Sequence, residues 1–263
     1  MDRTGNHLLE QPGEAKPRTE RRRYSVGFAR TPGEIRAAQQ LRWRVFADEL
    51  GARLPTRVAG IDHDIFDPYC EHLVVRDDDT GEAVGTYRIL APAAALRVGG
   101  YYSESEFDLT RLRLLRERMV EIGRSCIHPE HRSGAVIALL WAGLARYMLS
   151  SGHAYFAGCA SMSMADGGHA AASVFERLRP RHFAPVEYRV FPRSCLPLDE
   201  LDASRPADAP PLIRGYLGAG AWICGEPAWH PDFNTADFFL FLPLARLNPR
   251  HARHFFGEIL RVG

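Results

Sequence analysis

The sequence predicts a protein of the α/β class, with a mixed central sheet flanked by helices. Apolar residues at helical spacing follow a capping sequence at 31–34. Two short apolar runs, 72–76 and 83–90, are separated by turn residues. A strand–helix–strand unit lies at the centre of the chain, in residues 120–160, and such a crossover implies parallel pairing of its two strands.

The N-terminal segment predicts an irregular arm, then a strand and a long helix. Residues 1–23 are polar, charged and aperiodic, so we expect a disordered basic arm followed by one domain over 24–263. A strand is predicted at 24–28. Thr31 and Glu34 form a capping box with a proline at the first helical position, and Gly51 is placed to end the helix. Its apolar face comprises Ile35, Ala38, Leu41 and Val45.

The middle of the chain predicts a loop over 52–71 and a mixed region over 91–118, with a short strand near Tyr101. A strand follows at 120–127, and then a helix from Ser133 to Ser151 with its apolar residues on one face. The apolar run 154–160 shows no alternation, which is typical of a strand buried on both faces.

The last third predicts shorter elements. We expect a helix at 170–178, a strand at 183–190, an exposed loop at 197–210 and a short helix near Leu212. Strands are also predicted near Ala221 and at 238–242, before a polar, aromatic tail.

Composition excludes several functional classes. The 263 residues carry a net charge of only +1, so no overall field favours a nucleic-acid partner. The five cysteines are scattered, without a CxxC pair, which favours free thiols in a reducing compartment and no metal site. The first 23 residues lack the apolar core of a signal peptide, and no apolar run reaches 18 residues. We therefore expect a cytoplasmic protein, at most peripheral to the inner membrane.

The strongest local signal for chemistry is a strand that leads through a short loop into the central helix. The free backbone N–H groups at such a helix start suit a phosphate, and Arg132 and Ser133 are placed to add donors. Glu121 and Arg124 would face opposite sides of a regular strand, but Gly123 between them permits a bulge that turns both toward one cleft. A structural ion pair at the strand end is the alternative.

A second group joins Arg42 and Phe46, one helical turn apart, with the acids Asp62, Asp64 and Asp67. Three carboxylates within six residues can hold an ammonium group or accept its proton, although a solvated acidic loop has the same pattern. The chain has no GxSxG, Walker, GxGxxG or HExxH motif. Its Cys159 lies in an apolar strand, which favours a structural thiol over a nucleophile.

Together these segments resemble the ornithine N-acyltransferases of bacterial ornithine-lipid synthesis, over about residues 24–257. The segments that carry the resemblance are LRWRVF (41–46), DIFD (64–67), CEHL (70–73), GTYRIL (85–90), YSESEFD (102–108), EIGRS (121–125), LLW (139–141), PLIRGY (211–216) and FNTAD (233–237). The resemblance implies the GCN5-related N-acyltransferase fold, acylation of the α-amine of ornithine and an acyl carrier protein as donor. Some relatives carry a hemolysin-like label, but nothing in the sequence suggests a pore.

The chain is also distantly similar to acyl-homoserine-lactone synthases. That likeness places acyl-carrier and acceptor sites at Arg42, Phe46, Asp62, Asp64, Asp67, Arg88, Glu121 and Arg124. Asp62 stands where that family commonly has a glutamate, so its side chain is one methylene shorter. The usual acetyl-coenzyme A loop signature is only partly met by RSGAV (132–136), which suits a donor other than acetyl-coenzyme A.

The two resemblances imply a role for each candidate residue. Catalysis is expected from Glu121, Arg124 and Asp64. The acceptor site is expected to contain Arg42, Phe46, Asp62, Asp67 and Arg88. The phosphopantetheine-linked donor is expected to contact Ser125, Cys126, Arg132, Ser133, Gly134 and Trp141. No metal or redox cofactor is required.

The expected product is a lyso-ornithine lipid with a long-chain (3-hydroxy)fatty acyl group. Two basic groups are candidate docking sites for an acidic carrier protein, or else solvated faces: Arg111, Arg113, Arg116 and Arg118, and then Arg177, Arg179 and Arg181. Two other functions stay open, synthesis of another N-acyl amino acid or a homoserine-lactone signal, and lipid binding without catalysis.

Overall fold

The computed structural model describes residues 22–132 and 134–249. Three predicted features therefore lie outside the described residues. They are the arm (except for its last two residues), the donor contact Ser133, and the C-terminal tail.

The described chain contains five α-helices and ten strands. The helices are α1 Pro32–Trp43, α2 Pro92–Val98, α3 Ala135–Ser151, α4 His169–His182 and α5 Pro211–Ala219. The strands are β1 Tyr24–Phe28, β2 Glu71–Asp77, β3 Ala83–Leu90, β4 Phe107–Asp108, β5 Met119–Ile127, β6 Tyr155–Ser163, β7 Phe191–Pro192, β8 Trp222–Ile223, β9 Ala228–His230 and β10 Thr235–Pro243.

Eight strands form one mixed sheet in the order β1-β2-β3-β5-β6-β10-β8, with β9 paired to β10, while β4 and β7 form a separate ribbon. In the large sheet, β5 and β6 pair in parallel and the other neighbouring strands are antiparallel. The parallel pair is connected by α3, which confirms the predicted crossover.

Helices cover both faces of the sheet because side chains alternate along each strand. On β10, Phe238 and Leu240 pack with α4 and α5. Phe239 and Phe241, on the opposite face, pack with α2. On β2, Leu73 packs against α3 while the neighbouring His72 meets Arg42 of α1. The result is a three-layer sandwich with α1 and α2 on one side of the sheet and α3, α4 and α5 on the other.

The first helix begins as predicted. The Thr31 hydroxyl accepts a hydrogen bond from Glu34 N, and the Glu34 carboxylate accepts one from Thr31 N. The helix does not run uniformly to Gly51, because a turn of π-helix occupies Arg44–Glu49.

Two regions differ from the prediction. Residues 91–118 contain helix α2 and a 3-10 helix at Thr110–Arg118, and Tyr101 is not in a strand. The strand predicted at 183–190 is wrong, since Val186–Tyr188 is a 3-10 turn after Pro185 and the strand β7 is only two residues long. Proline cannot donate to a strand ladder, which explains why this apolar run does not extend the sheet.

Candidate active site

A cavity of about 470 Å³ opens where β5 and β6 separate. The parallel pairing of these strands ends at Glu121 and Ala157. At this point the backbones are close enough that a Cβ on Gly158 would lie 2.1 Å from the carbonyl oxygen of Ile122. Its lining contains two groups of side chains. The polar end comprises charged or polar residues, several in mutual contact: Arg88, Tyr102, Ser103, Glu121, Arg124 and Asp237. The apolar end comprises residues that pack together in the core beside α3: Tyr87, Ile122, Phe156, Leu212, Tyr216, Ala221 and Leu242.

The predicted bulge at Gly123 is present. Thr86 of β3 pairs with Cys126, and Arg88 pairs with Gly123. The single β3 residue between these two pairs therefore faces two residues of β5. Arg124 has a φ of 50°, in the left-handed region that non-glycine residues seldom adopt. The extra residue brings Glu121 and Arg124 to the same cavity wall, and such local strain is common at functional sites.

Glu121 and Arg124 do not form the ion pair that was the alternative. The Glu121 carboxylate accepts hydrogen bonds from Tyr102 N (2.6 Å), Ser103 N (2.8 Å) and Ser103 Oγ (2.5 Å). Burial raises the pKa of Glu121, although these donors stabilise its charged form. Glu121 therefore fixes the Tyr102–Ser103 segment against the cavity.

Arg124 is held by two acids and two rings. Its guanidinium lies 3.3 Å from carboxylate oxygens of both Asp62 and Asp64. The ring centroids of Tyr102 and Phe233 lie 4.7 and 4.9 Å from it. Burial alone would lower the pKa of Arg124, but its acidic neighbours outweigh that effect and raise it. The arginine thus stays charged at the cavity wall.

The remaining candidates of the acceptor site form a buried ionic network. Arg42 is fully buried and donates to the Asp62 carboxylate at 2.7 Å and to the Asp67 carboxylate at 2.6 Å. Arg88 donates to both oxygens of Asp64 at 2.7 Å and to Asp67 at 3.1 Å. Burial opposes ionisation of Asp67, but the charges of Arg42 and Arg88 hold its pKa below the usual range.

Only part of that network reaches the cavity. Arg88 and Phe46 line it, and Phe46 packs edge-on against Phe233 at a centroid distance of 6.1 Å. Arg42, Asp62 and Asp67 lie behind the wall and have other side chains as partners. The structure thus brings all the predicted acceptor residues together, with three of them in positions that support the wall.

The predicted donor residues are more dispersed. Ser125 lines the cavity, and Cys126 is buried, which raises the pKa of its thiol to about 12. Arg132 is bound to Glu49 through two hydrogen bonds of 2.7 Å, and Gly134 precedes α3 with a φ of 89°. Trp141 stacks on Tyr216, which lines the apolar end, so the tryptophan supports the wall from behind.

No role was predicted for two acids at the site, Glu106 and Asp237, although they lie in the segments 102–108 and 233–237 that carry the family resemblance. Asp237 of β10 lines the cavity, and Glu106 lies next to it, just before β4. The available signal was an acid at the start of the apolar run 238–242.

Other reactive groups are less well placed for chemistry. Burial and the nearby acids raise the pKa of Cys159 well above its ordinary value, which agrees with a structural thiol. Ligand atoms of His128, Glu130 and His131 lie within 4.8 Å of one another, but none of these residues lines the cavity. His131 already contacts Tyr24 and Arg22.

Comparison with known proteins identifies the family of this chain. The family model described as "Acetyltransferase (GNAT) domain" matches residues 41–142. A protein of Rhodobacter capsulatus named L-ornithine N(alpha)-acyltransferase is 37% identical over 87% of this chain and 93% of its own. One of Brucella abortus with the same name is 35% identical over 90% of both chains. This chain belongs to that acyltransferase family.

Solved structures support the same fold. The chain matches FeeM, an N-acyl amino acid synthase from uncultured soil microbes, with a TM-score of 0.55 and 12% identity over 86% of this chain and 93% of that one. It matches the acyl-homoserine-lactone synthase LasI with a TM-score of 0.51 and 14% identity over 90% and 96% of the two chains. The predicted family, fold class and acyltransferase activity are therefore confirmed.

No helix of the acyltransferase within residues 22–132 and 134–249 is long and apolar enough to cross a membrane.

Proposed function

We propose that this acyltransferase moves a long-chain (3-hydroxy)fatty acyl group from acyl carrier protein to the α-amine of ornithine, forming a lyso-ornithine lipid. The observation that carries the proposal is the cavity, apolar at one end and charged at the other, in a chain 35–37% identical to L-ornithine N(alpha)-acyltransferases. An acyl chain fits the apolar end because its transfer from water is favourable there. An amino acid fits the charged end.

The proposed reaction is direct transfer. The neutral α-amine attacks the thioester carbonyl carbon, a C–N bond forms, the C–S bond breaks, and the thiolate leaves with the phosphopantetheine arm. One proton passes from the amine nitrogen to a base, and the base returns one proton to the departing thiolate, so no proton is gained or lost overall. Backbone N–H groups at the β5 bulge would stabilise the developing oxyanion.

The proposed roles follow from what each side chain touches. Of the two carboxylates predicted to be catalytic, Glu121 lines the cavity. We therefore propose that Glu121 accepts the proton, directly or through water. Arg88 and Arg124 would orient the acceptor carboxylate. Asp64 does not line this cavity and accepts hydrogen bonds from Arg88 through both oxygens, and so we assign it to holding the arginines.

The supporting residues act through the arginines. Arg42, Asp62 and Asp67 would fix the arginine positions, because a buried ionic network is costly to rearrange. The phosphopantetheine arm would lie along Ser125 toward the start of α3, where Gly134 leaves backbone N–H groups for a phosphate. If a phosphate binds here, Arg132 either leaves Glu49 to bind the phosphate or keeps its hydrogen bonds to Glu49 and does not contact the ligand.

The acceptor is tested by lipid mass spectrometry of a bacterium that lacks ornithine lipids and expresses this chain. We expect N-acyl-ornithine to accumulate. An acyl-glycine or a homoserine lactone instead would refute the ornithine assignment while keeping the acyltransferase. No new acyl amide would favour the lipid-binding alternative.

The carrier is tested separately, with one acyl chain on acyl carrier protein and on coenzyme A across a salt series. The basic segment 110–118 is partly occupied, since Arg116 is bound to Glu104 and Arg111 donates to a backbone carbonyl. Arg113 and Arg118 are exposed. We expect Arg113→Glu to slow transfer from the carrier protein at low salt, and Arg205→Glu, an exposed site elsewhere, to leave it unchanged. Equal efficiency of both carriers would refute this part.

A further inference from the structure

A pair of buried carboxyl groups at the polar end of the cavity has no role in the proposal so far. Asp237 is 5% exposed and Glu106 is 6% exposed. Within the described chain, no hydrogen-bond donor reaches either carboxyl oxygen of Glu106 or Oδ1 of Asp237. Buried carboxylates are normally hydrogen-bonded or paired with a cation. Here the two acids have only each other, with Asp237 on the cavity wall and Glu106 beside it, and this arrangement requires an explanation.

Charge balance shows that this acid pair differs from the other acids of the site. Arg42, Arg88 and Arg124 supply three positive charges, and their partners Asp62, Asp64 and Asp67 supply three negative ones. Glu121 is satisfied by three donors of the Tyr102–Ser103 segment. Two basic side chains lie near the acid pair. Arg124 acts electrostatically on Glu106 but is paired with Asp62 and Asp64, and burial lowers the pKa of His230, which lies near Asp237. Among the described residues, neither acid of the pair forms a salt bridge.

The acid pair lies close to the proposed reacting groups. Ser103 Oγ, which donates to Glu121, is 3.4 Å from Cys159 Sγ. Charges on Glu106, Asp237 and Glu121 all raise the pKa of that same thiol. Cys159, which lines the cavity, therefore lies near both Glu121 and the acid pair, and one small acceptor in this cavity can face both.

The fold limits the cost of the pair by keeping a proton on Glu106. Burial, and then the charge of Asp237, raise the pKa of Glu106 to about 10. At neutral pH Glu106 therefore keeps its proton, which limits the repulsion between the two acids. A cation that entered beside Asp237 would complete the missing interaction and favour the ionised form.

We infer that Asp237, supported by Glu106, is the subsite for the second, side-chain ammonium group of the acceptor, and that it selects a diamino acid over a neutral one. This inference rests on the proposed function. The α-amine then faces Glu121, the acceptor carboxylate faces Arg88 and Arg124, and the side-chain ammonium donates to Asp237.

The test compares L-ornithine with L-norvaline, which has the same carbon chain without the terminal amine, using one acyl donor. For the wild type we expect kcat/KM to be about 100-fold higher with ornithine, the size of effect that follows from truncating one member of a buried charge pair. Asp237→Asn should lower kcat/KM for ornithine by about 100-fold, mainly through KM, and change norvaline by less than about threefold.

Two further variants keep the result interpretable. Glu106→Gln should reduce the preference for ornithine by about tenfold, since it leaves Asp237 in place, and it gives the same comparison if Asp237→Asn does not fold. Asp108→Asn removes an exposed carboxylate two residues after Glu106 and should leave both acceptors unaffected.

Distinct outcomes separate the two hypotheses. If the wild type uses norvaline as well as ornithine, or if Asp237→Asn lowers both equally, the subsite is refuted while ornithine acylation stands. If the folded wild type acylates neither amino acid, the ornithine assignment fails and the subsite fails with it.

Discussion

Replacement of Glu121 by glutamine changes one atom and tests how the polar end of the cavity is built. Three donors converge on this carboxylate, two on Oε1 from Ser103 and one on Oε2 from Tyr102. A glutamine oxygen can keep the two bonds from Ser103, but its NH₂ group then faces the backbone N–H of Tyr102. Two buried donors would oppose each other.

The magnitude follows from that conflict. An unsatisfied buried donor costs about 1–3 kcal/mol, and the lost charge assistance adds about 1 kcal/mol. Relief of the burial penalty that raises the pKa of Glu121 offsets part of this sum. We expect Glu121→Gln to lower the free energy of unfolding by about 2–4 kcal/mol, which corresponds to a fall in Tm of about 5–15 °C for a chain of this size.

Thermal unfolding measures this effect, and a double-mutant cycle assigns it. Ser103→Ala removes only the hydroxyl donor and should cost about 1 kcal/mol. Combined with Glu121→Gln it should show a coupling of about 0.5–1 kcal/mol, because the two side chains are in contact. The exposed Glu117→Gln is the matched control and should stay within about 0.5 kcal/mol of wild type. A Glu121→Gln variant that melts with the wild type would refute the convergence of donors on this group.

Four other changes test separate parts of the structure. Arg42→Met leaves two buried aspartates without their main partner and should destabilise the fold by about 3–5 kcal/mol in urea unfolding, whereas the exposed Arg44→Met should not. Leu212→Trp reduces the volume of the apolar end of the cavity, so mass spectrometry should show products with shorter acyl chains while the acceptor stays the same. An unchanged distribution of chain lengths would count against this end as the acyl site. Gly158→Ala places a methyl group on the carbonyl oxygen of β5 and should cost about 1–3 kcal/mol or force the two strands apart, seen as lost stability and activity. The pKa of Glu106 is about 10 in the fold and near 4.5 in the unfolded chain, so between these pH values the folded state keeps a proton that the unfolded state releases. The free energy of unfolding should therefore fall by up to about 1.4 kcal/mol per pH unit in this range. Tm measured from pH 6 to 9 should fall more steeply for wild type than for Glu106→Gln, and parallel curves would contradict the raised pKa of Glu106.

Local features of the fold were predictable because their causes are local. The capping box at Thr31 and the crossover through α3 follow from residues a few positions apart. The bulge followed from Gly123 lying between two polar residues that a regular strand would separate. Helix α2 was missed, although Pro92 and three alanines provide a helix start and good helix formers.

Long-range partners could not be read from the chain. Arg42 was predicted to touch substrate, whereas its guanidinium is satisfied by two aspartates on a later loop. Asp237 lies on β10 of the large sheet and Glu106 lies just before β4 of the separate ribbon, and only the tertiary packing brings their carboxyl groups together. Sequence spacing carries no information about such a pair.

The two halves of the site differ in how freely they can change. The arginines at the polar end form ion pairs with three aspartates. A single substitution there leaves a buried charge unpaired, and so it lowers stability as well as activity. The apolar end is bounded by α5 and β10 through side chains such as Leu212 and Leu242, where one aliphatic residue can replace another at a cost of about 1 kcal/mol. Under the proposed function, acyl-chain length is therefore the property that this scaffold can vary by few mutations. Acceptor choice requires concerted changes in the ionic network, unless it depends on the acid pair, which lies outside that network.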